Sequence, residues 1–247
     1  MSSKKLPAEE LKEKVEKLQS KNKRSIKKGD FDIFHFSVQQ KLWESNYYAE
    51  QIKNFSGDNF AYSETPGPKT QTITVISGLD KGEMARYCNL YLDGYFMSVM
   101  SIYDSLSHEI NTLFKFLKSD PKTRIYLSTI INEFKNKMPD SEFYKYAAKI
   151  QKKKWWKDLE NFRNAITHEV IIAKEIETSY DATAGKETLK KIPLPDNPKR
   201  RPFTYKKNYE LKNFIENFHK NISITIEQCY KKVIKDLEKN QKLPIKI

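Results

Sequence analysis

Cysteine is nearly absent: two in 247 residues, Cys88 and Cys229, each on an apolar stretch with no Cys or His beside it at metal-ligand spacing. The cysteine spacings of zinc sites are thereby absent, and buried thiols in a reducing cytoplasm are expected. Glycine is scarce too, with seven in the chain, and no phosphate-binding loop, paired metal carboxylates or nucleophile elbow occurs. Kinases and hydrolases built on those devices are disfavoured. No apolar run approaches the roughly 18 residues of a membrane span, and the opening residues Met1 to Pro7 lack a signal-peptide apolar region. No membrane association and a cytoplasmic location are expected.

What remains is helical and basic. An apolar fraction of 38%, with 13% aromatic residues, suffices for one sizeable core. Lys and Arg number 45 against 32 Asp and Glu, a net +13, which favours a polyanionic partner, either nucleic acid or an acidic protein.

Residues 8–27 read as a peripheral helix with a thin seam of Leu11, Val15, Leu18 and Ile26 that adds little to the core. Residues 31–55 mix aromatics with Ile33, Val38, Leu42 and Ile52 in a second helix, where His35 is read as a packed or surface histidine. Gly57, Pro66-Gly67-Pro68 and Gly78 make 56–80 a loop region, with Thr70–Ile76 alternating like a short strand. The longest periodic segment runs from about 81 to 118. On it Gly94, Ser98, Ser101 and Ser105 form a row of small side chains open to a neighbouring helix. Asp104 and His108 lie one turn apart beside that row, either orienting an imidazole or forming an ordinary helical pair.

Helices are expected over 124–138 and over 142–150, the latter continuing toward the next helix, and over 209–240, where His219 reads as exposed. Between the last two helices, residues 179–207 carry Gly185 and four prolines. Residues 186–192 and 201–207 read there as hairpin strands or plain loop. A structureless stretch above about 12–15 residues is uncommon in a compact domain unless functional. Lys199, Arg200 and Arg201 make this insertion the most basic stretch and a candidate RNA contact. The expected division is residues 1–78 as a helical extension and loop, and 79–247 as a bundle with its insertion, packed as one unit.

The polar cluster sits on the helix that starts near Lys152. Leu159, Phe162, Ile166 and Ala173 set its apolar stripe. At about 100° per residue, Glu160, Arg163, Asn164, Thr167 and His168 share an arc of about 140° roughly opposite. Lys153, Lys154 and Lys157 surround Trp155 and Trp156, either to bind phosphates and stack bases or as solvated lysines around core anchors. An imidazole and a guanidinium suffice for RNA transesterification: the ring moves protons, while the guanidinium holds the phosphate as charge grows.

Arg163, the polar Asn164 and His168, an Arg-x-x-x-x-His spacing near a helix end, resemble the signature of HEPN domains, all-α proteins common among bacterial ribonuclease toxins and defence systems. The resemblance implies an all-α helical bundle, here with a small β-hairpin insertion. It implies metal-independent cleavage without a cofactor, leaving a 2′,3′-cyclic phosphate and a 5′-OH at a composite cleft in a homodimer. Arg163, His168 and Asn164 would be catalytic, with Glu160, Thr167, Asp104, His108 and Asp158 supporting. RNA, a second copy, and a cognate antitoxin or nucleotidyltransferase are the implied partners. Some family members place Lys before the Arg and an acid four residues before that Lys; here the acid is Asp158, but Phe162 replaces the Lys. The alternative is a non-catalytic HEPN-like module that binds RNA, nucleotide or protein.

Overall fold

Leu92, Tyr95, Phe96, Val99, Ile102, Leu106 and Ile110 recur at three- and four-residue steps, and all are buried, as a helix with one face in a core requires. They lie on α3, Lys81–Phe114, the longest described helix at 34 residues. The computed structural model describes residues 7–22, 28–55, 61–65, 72–77, 81–118, 124–168, 177–181, 186–196, 204 and 209–240. Around α3 the order is α1 Pro7–Asn22, α2 Lys28–Lys53, β1 Ala61–Thr65, β2 Thr72–Ser77, then α4 Leu127–Lys137, α5 Glu142–Gln151 and α6 Lys154–His168. There follow β3 Glu177–Asp181, β4 Lys186–Lys191, β5 Pro193–Leu194, β6 Tyr209–Glu210 and α7 Leu211–Asn240. The fold is an all-α bundle carrying three two-stranded antiparallel ribbons, β1–β2, β3–β4 and β5–β6.

The chain divides into two units, one of residues 1–43, 98–157 and 220–247, the other of residues 44–97 and 158–219. In the first, Leu11 and Val15 of α1 are buried and Lys14 pairs with Glu238. These two seam residues therefore do join the core, correcting the expectation for α1, while the side chains of Leu18 and Ile26 lie outside the described residues. Phe114, Phe116, Phe134 and Phe143 form one ring cluster with centroids 4.7–5.6 Å apart. Lys137 donates to the Phe116 carbonyl at 2.9 Å. Lys115 adopts a φ of 51°, and Asn111 grips both backbone groups of Leu117. A left-handed residue closes a helix, so α3 stops at Phe114 rather than 118. Ser141 caps α5 by accepting from Tyr144 N at 3.0 Å. Asp236 of α7 accepts from the Ser141 hydroxyl and from the backbone N–H groups of Glu142 and Phe143 at 2.6–2.9 Å. Those donors would otherwise be orphaned at the helix start.

In the second unit the ring of Tyr48 fills the space a Cβ on Gly94 would take, so the expected close approach occurs at that glycine. Phe96 stacks on Phe162 at 5.2 Å and meets Phe218 edge-on, while Phe214 joins Phe162 and Phe218. The expected strand over 186–192 exists as β4, paired with β3 across a four-residue gap, a usual hairpin span; residues 201–207, the other expected strand, lie outside the described residues apart from Thr204. The strand expected over 70–76 is β2, paired with β1, which alternation alone did not signal. Glu210 starts α7 by accepting from Lys212 N and Asn213 N at 3.0 and 2.8 Å.

Candidate functional site

The helix α6 is positioned by its buried residues Leu159, Phe162 and Ala165. With Phe162 locked between Phe96 and Phe214, the rotation of the helix is fixed. Glu160 and Asn164 are exposed, and Asp158 and Arg163 are half-buried, so these polar positions sit off the core as their spacing predicts. The backbone stays helical through His168. Arg163 and His168 are thus about 7.5 Å apart along the axis and about 140° apart around it. The side chains of Thr167 and His168 lie outside the described residues, as do Lys199, Arg200 and Arg201; of the expected helix end near 174–178, residues 174–176 also lie outside them, while Glu177 and Thr178 belong to strand β3. Asp196 and Thr204, on either side of the basic triplet, bond to each other through backbone at 2.8 Å and side chains at 2.6 Å.

Lys153, Lys154 and Lys157 are exposed, and Trp155 is half-buried. Trp156 is 2% exposed, edge-on to Tyr103 at 4.6 Å. Of the two readings of this stretch, the structure selects the core anchor for Trp156: a ring packed so deeply cannot stack an incoming base. The α5 helix also does not run on into α6, since it ends at Gln151 with Lys152 as its cap. Residues 152–153 form an elbow that composition does not announce.

His108 lies flat on Phe34 at 4.8 Å, and burial lowers its pKa from the usual value; Asp104, one turn earlier, is half-buried. His35 is packed as expected, stacked on Phe31 at 5.4 Å, with Nδ1 2.7 Å from Glu109 Oε1. Tyr230 donates to Glu109 Oε2 at 3.0 Å. Sequence reasoning missed Glu109 and its partners. The signal was present, for Glu109 is three residues past Leu106 on the buried stripe of α3, where a carboxylate must find donors. Burial pushes its pKa up, against the hydrogen bonds from His35 and Tyr230.

His219 corrects another expectation. It is half-buried, tilted against Tyr95 with centroids 6.1 Å apart. Its Nδ1 and the Tyr95 hydroxyl are both buried without a hydrogen-bond partner among the described residues. Burial first, then the charge of Lys53, lowers the His219 pKa, with Glu50 opposing. Cys88 and Cys229 are buried free thiols, each pushed up to about 12 by burial and hence inert. Among the described residues no cluster of His, Cys, Asp and Glu could hold a metal ion, and no helix is long and apolar enough to cross a membrane.

The profile of the Cthe2314-like HEPN family matches residues 33–240. The chain belongs to that family. The match begins inside α2 and runs to the last residue of α7, so it takes in α6 and the β3–β4 ribbon. No curated protein and no solved structure matches significantly. Within this HEPN chain, position 162 is explained: the Phe that stands where some members carry Lys is a core residue, 2% exposed.

Proposed function

We propose that the protein is a metal-independent endoribonuclease of HEPN type acting as a homodimer, the effector of a defence or toxin–antitoxin module. The reading rests on one conjunction: a chain of this family keeps Arg163, Asn164 and His168 on a helix whose apolar side is fixed in the core. In the reaction the ribose 2′-oxygen attacks phosphorus while one imidazole takes its proton. The P–O5′ bond breaks as a second imidazole protonates the leaving oxygen, giving a 2′,3′-cyclic phosphate and a 5′-OH. Arg163 holds the non-bridging oxygens as their charge grows. Asn164 orients the ring or contacts phosphate, and Glu160 and Thr167 flank the pair. Asp158, Asp104 and His108 are supporting residues. One motif supplies one His168, so the acid comes from a second copy.

Lys153, Lys154 and Lys157 on the exposed start of α6, with Lys199, Arg200 and Arg201, track the RNA backbone. A cognate antitoxin or nucleotidyltransferase would be the regulating partner. The core position of Phe162 favours one competitor, a HEPN module that binds RNA without cleaving it, because the site lacks the extra cation of the extended motif. The test incubates the protein, His168→Ala and Arg163→Ala with RNA in chelator. Cleavage with cyclic-phosphate ends should fall by roughly 10²–10⁴ in each variant. Binding that persists with no cleavage by any of the three would establish the competitor instead.

A further inference from the structure

The surplus of positive charge is not spread over the chain. The first unit, residues 1–43, 98–157 and 220–247, holds 30 Lys and Arg against 15 Asp and Glu, whereas the second unit, with Arg163, Asn164 and His168, holds 15 against 17. A polyanion is therefore gathered by the first unit and not by the net charge of the unit that carries the motif. Within the first unit several lysines are already neutralised: Lys145 pairs with Asp140, Lys231 with Glu227, and Lys232 and Lys239 with Glu142. At the α5–α6 elbow Lys149, Lys152, Lys153 and Lys157 are exposed and form no ion pair among the described residues.

These four flank one aromatic ring in the chain. Lys149 and Lys152 lie about 4.5 Å apart along α5 and about 60° apart around it, since Lys152, its cap, still holds a helical conformation. Lys153 and Lys157 are one turn apart on α6, where the Lys157 N–H donates to the Lys153 carbonyl at 3.3 Å. Between them Trp156 turns into the core against Tyr103 and leaves Trp155, inclined 73° to it, half-buried. An indole kept partly in water among unpaired ammonium groups suits a single strand: the cations take phosphates, and the ring takes the face of an unpaired base. A duplex offers the phosphates without the free base face. We infer that the α5–α6 elbow is a docking face for single-stranded RNA, held by Lys149, Lys152, Lys153 and Lys157 through its phosphates and by Trp155 through a stacked base. The inference rests on the ribonuclease reading for the identity of the sugar alone. Its contacts need no 2′-OH, so a deoxy strand that cannot be cleaved tests them apart from the chemistry.

In the experiment the full chain is titrated with a fluorescein-labelled deoxythymidine strand of about 16 nucleotides. The strand should bind with a salt slope of about −3, from four neutralised phosphates at about 0.7 each, and should quench tryptophan emission. Trp155→Ala should weaken binding by about 10-fold, while Trp155→Phe should restore the affinity without the quench. Lys149→Ala/Lys152→Ala, at two exposed positions that leave the fold intact, should make the slope shallower by about 1.4. A duplex of the same length should bind at least about 10-fold more weakly. A duplex held as tightly as the strand overturns the inference, as do affinity and slope that stay unmoved in both alanine variants. So does displacement of the strand by polyglutamate at equal charge, which would give the face to an acidic protein. RNA cleavage that proceeds while the deoxy strand ignores the elbow fails this inference alone; a strand docked at the elbow of a chain that never cleaves RNA fails the ribonuclease reading alone.

Discussion

Two buried places, one in each unit, treat their polar atoms differently. In the first, Glu109 is wholly buried yet takes His35 on one oxygen and Tyr230 on the other, and Asp236 collects three donors at the start of α5. In the second, an interior of stacked rings around Phe96, Phe162, Phe214 and Phe218 holds the Tyr95 hydroxyl and His219 Nδ1 with no partner among the described residues. A satisfied buried carboxylate ties helices together, whereas an unsatisfied polar atom weakens its surroundings. The unit that holds Tyr95 and His219 also carries Arg163, Asn164 and His168.

The contrast breaks first at Glu109. Glu109→Ala leaves His35 and the Tyr230 hydroxyl buried without their acceptor, and unfolding free energy should drop by about 3–5 kcal/mol in chemical denaturation. A drop below about 1 kcal/mol would mean that the network is dispensable and that the first unit is held by packing alone.

Much of this arrangement was legible in the sequence. Periodicity located the seven helices of the described residues, because amphipathic faces repeat over many residues, and Arg163, Asn164 and His168 emerged on α6 for the same reason. Helix ends were less visible. The close of α3 depends on Lys115 in a left-handed conformation, which no residue preference predicts, and the α5–α6 elbow falls in a run of lysines that suit either state. Partners across the fold were invisible. Nothing local says that Glu109 meets His35 seventy-four residues away, that β4 pairs with β3, or that Trp43 faces out while Val38 faces in. Apolar residues on two sides of α2 could be told apart only once the neighbours were placed.

A gentler probe of the second unit is pH. Burial lowers the His219 pKa below its usual 6.5, so the folded state binds fewer protons than the unfolded one as pH falls. The neutral ring carries no penalty above the unfolded value; below it, stability is lost until the folded state also protonates. Melting temperature should therefore fall between pH 7 and pH 5. His108 is shifted in the same direction, so the His219 share is the part of the fall that His219→Gln removes. An unchanged pH profile in that variant would show that the ring is already protonated in the fold or that its surroundings are wet.

The smallest effect is expected at Tyr95. Truncating a hydroxyl that makes a hydrogen bond costs about 1 kcal/mol, while removing one that is buried and unbonded relieves a desolvation penalty. Tyr95 is wholly buried, and burial drives its pKa upward, keeping the phenol neutral. Tyr95→Phe keeps the ring against His219 and Phe96 while deleting only the orphaned oxygen. Stability should therefore stay within about 0.5 kcal/mol of wild type or rise. A loss of more than about 1 kcal/mol would show that the hydroxyl has a partner after all, with an internal water between Tyr95 and His219 the first to look for, since such a water needs two or more polar groups to hold it. In that event Tyr95 and His219 would be as well satisfied as Glu109, and the difference between the two places would reduce to a matter of which partner is solvent.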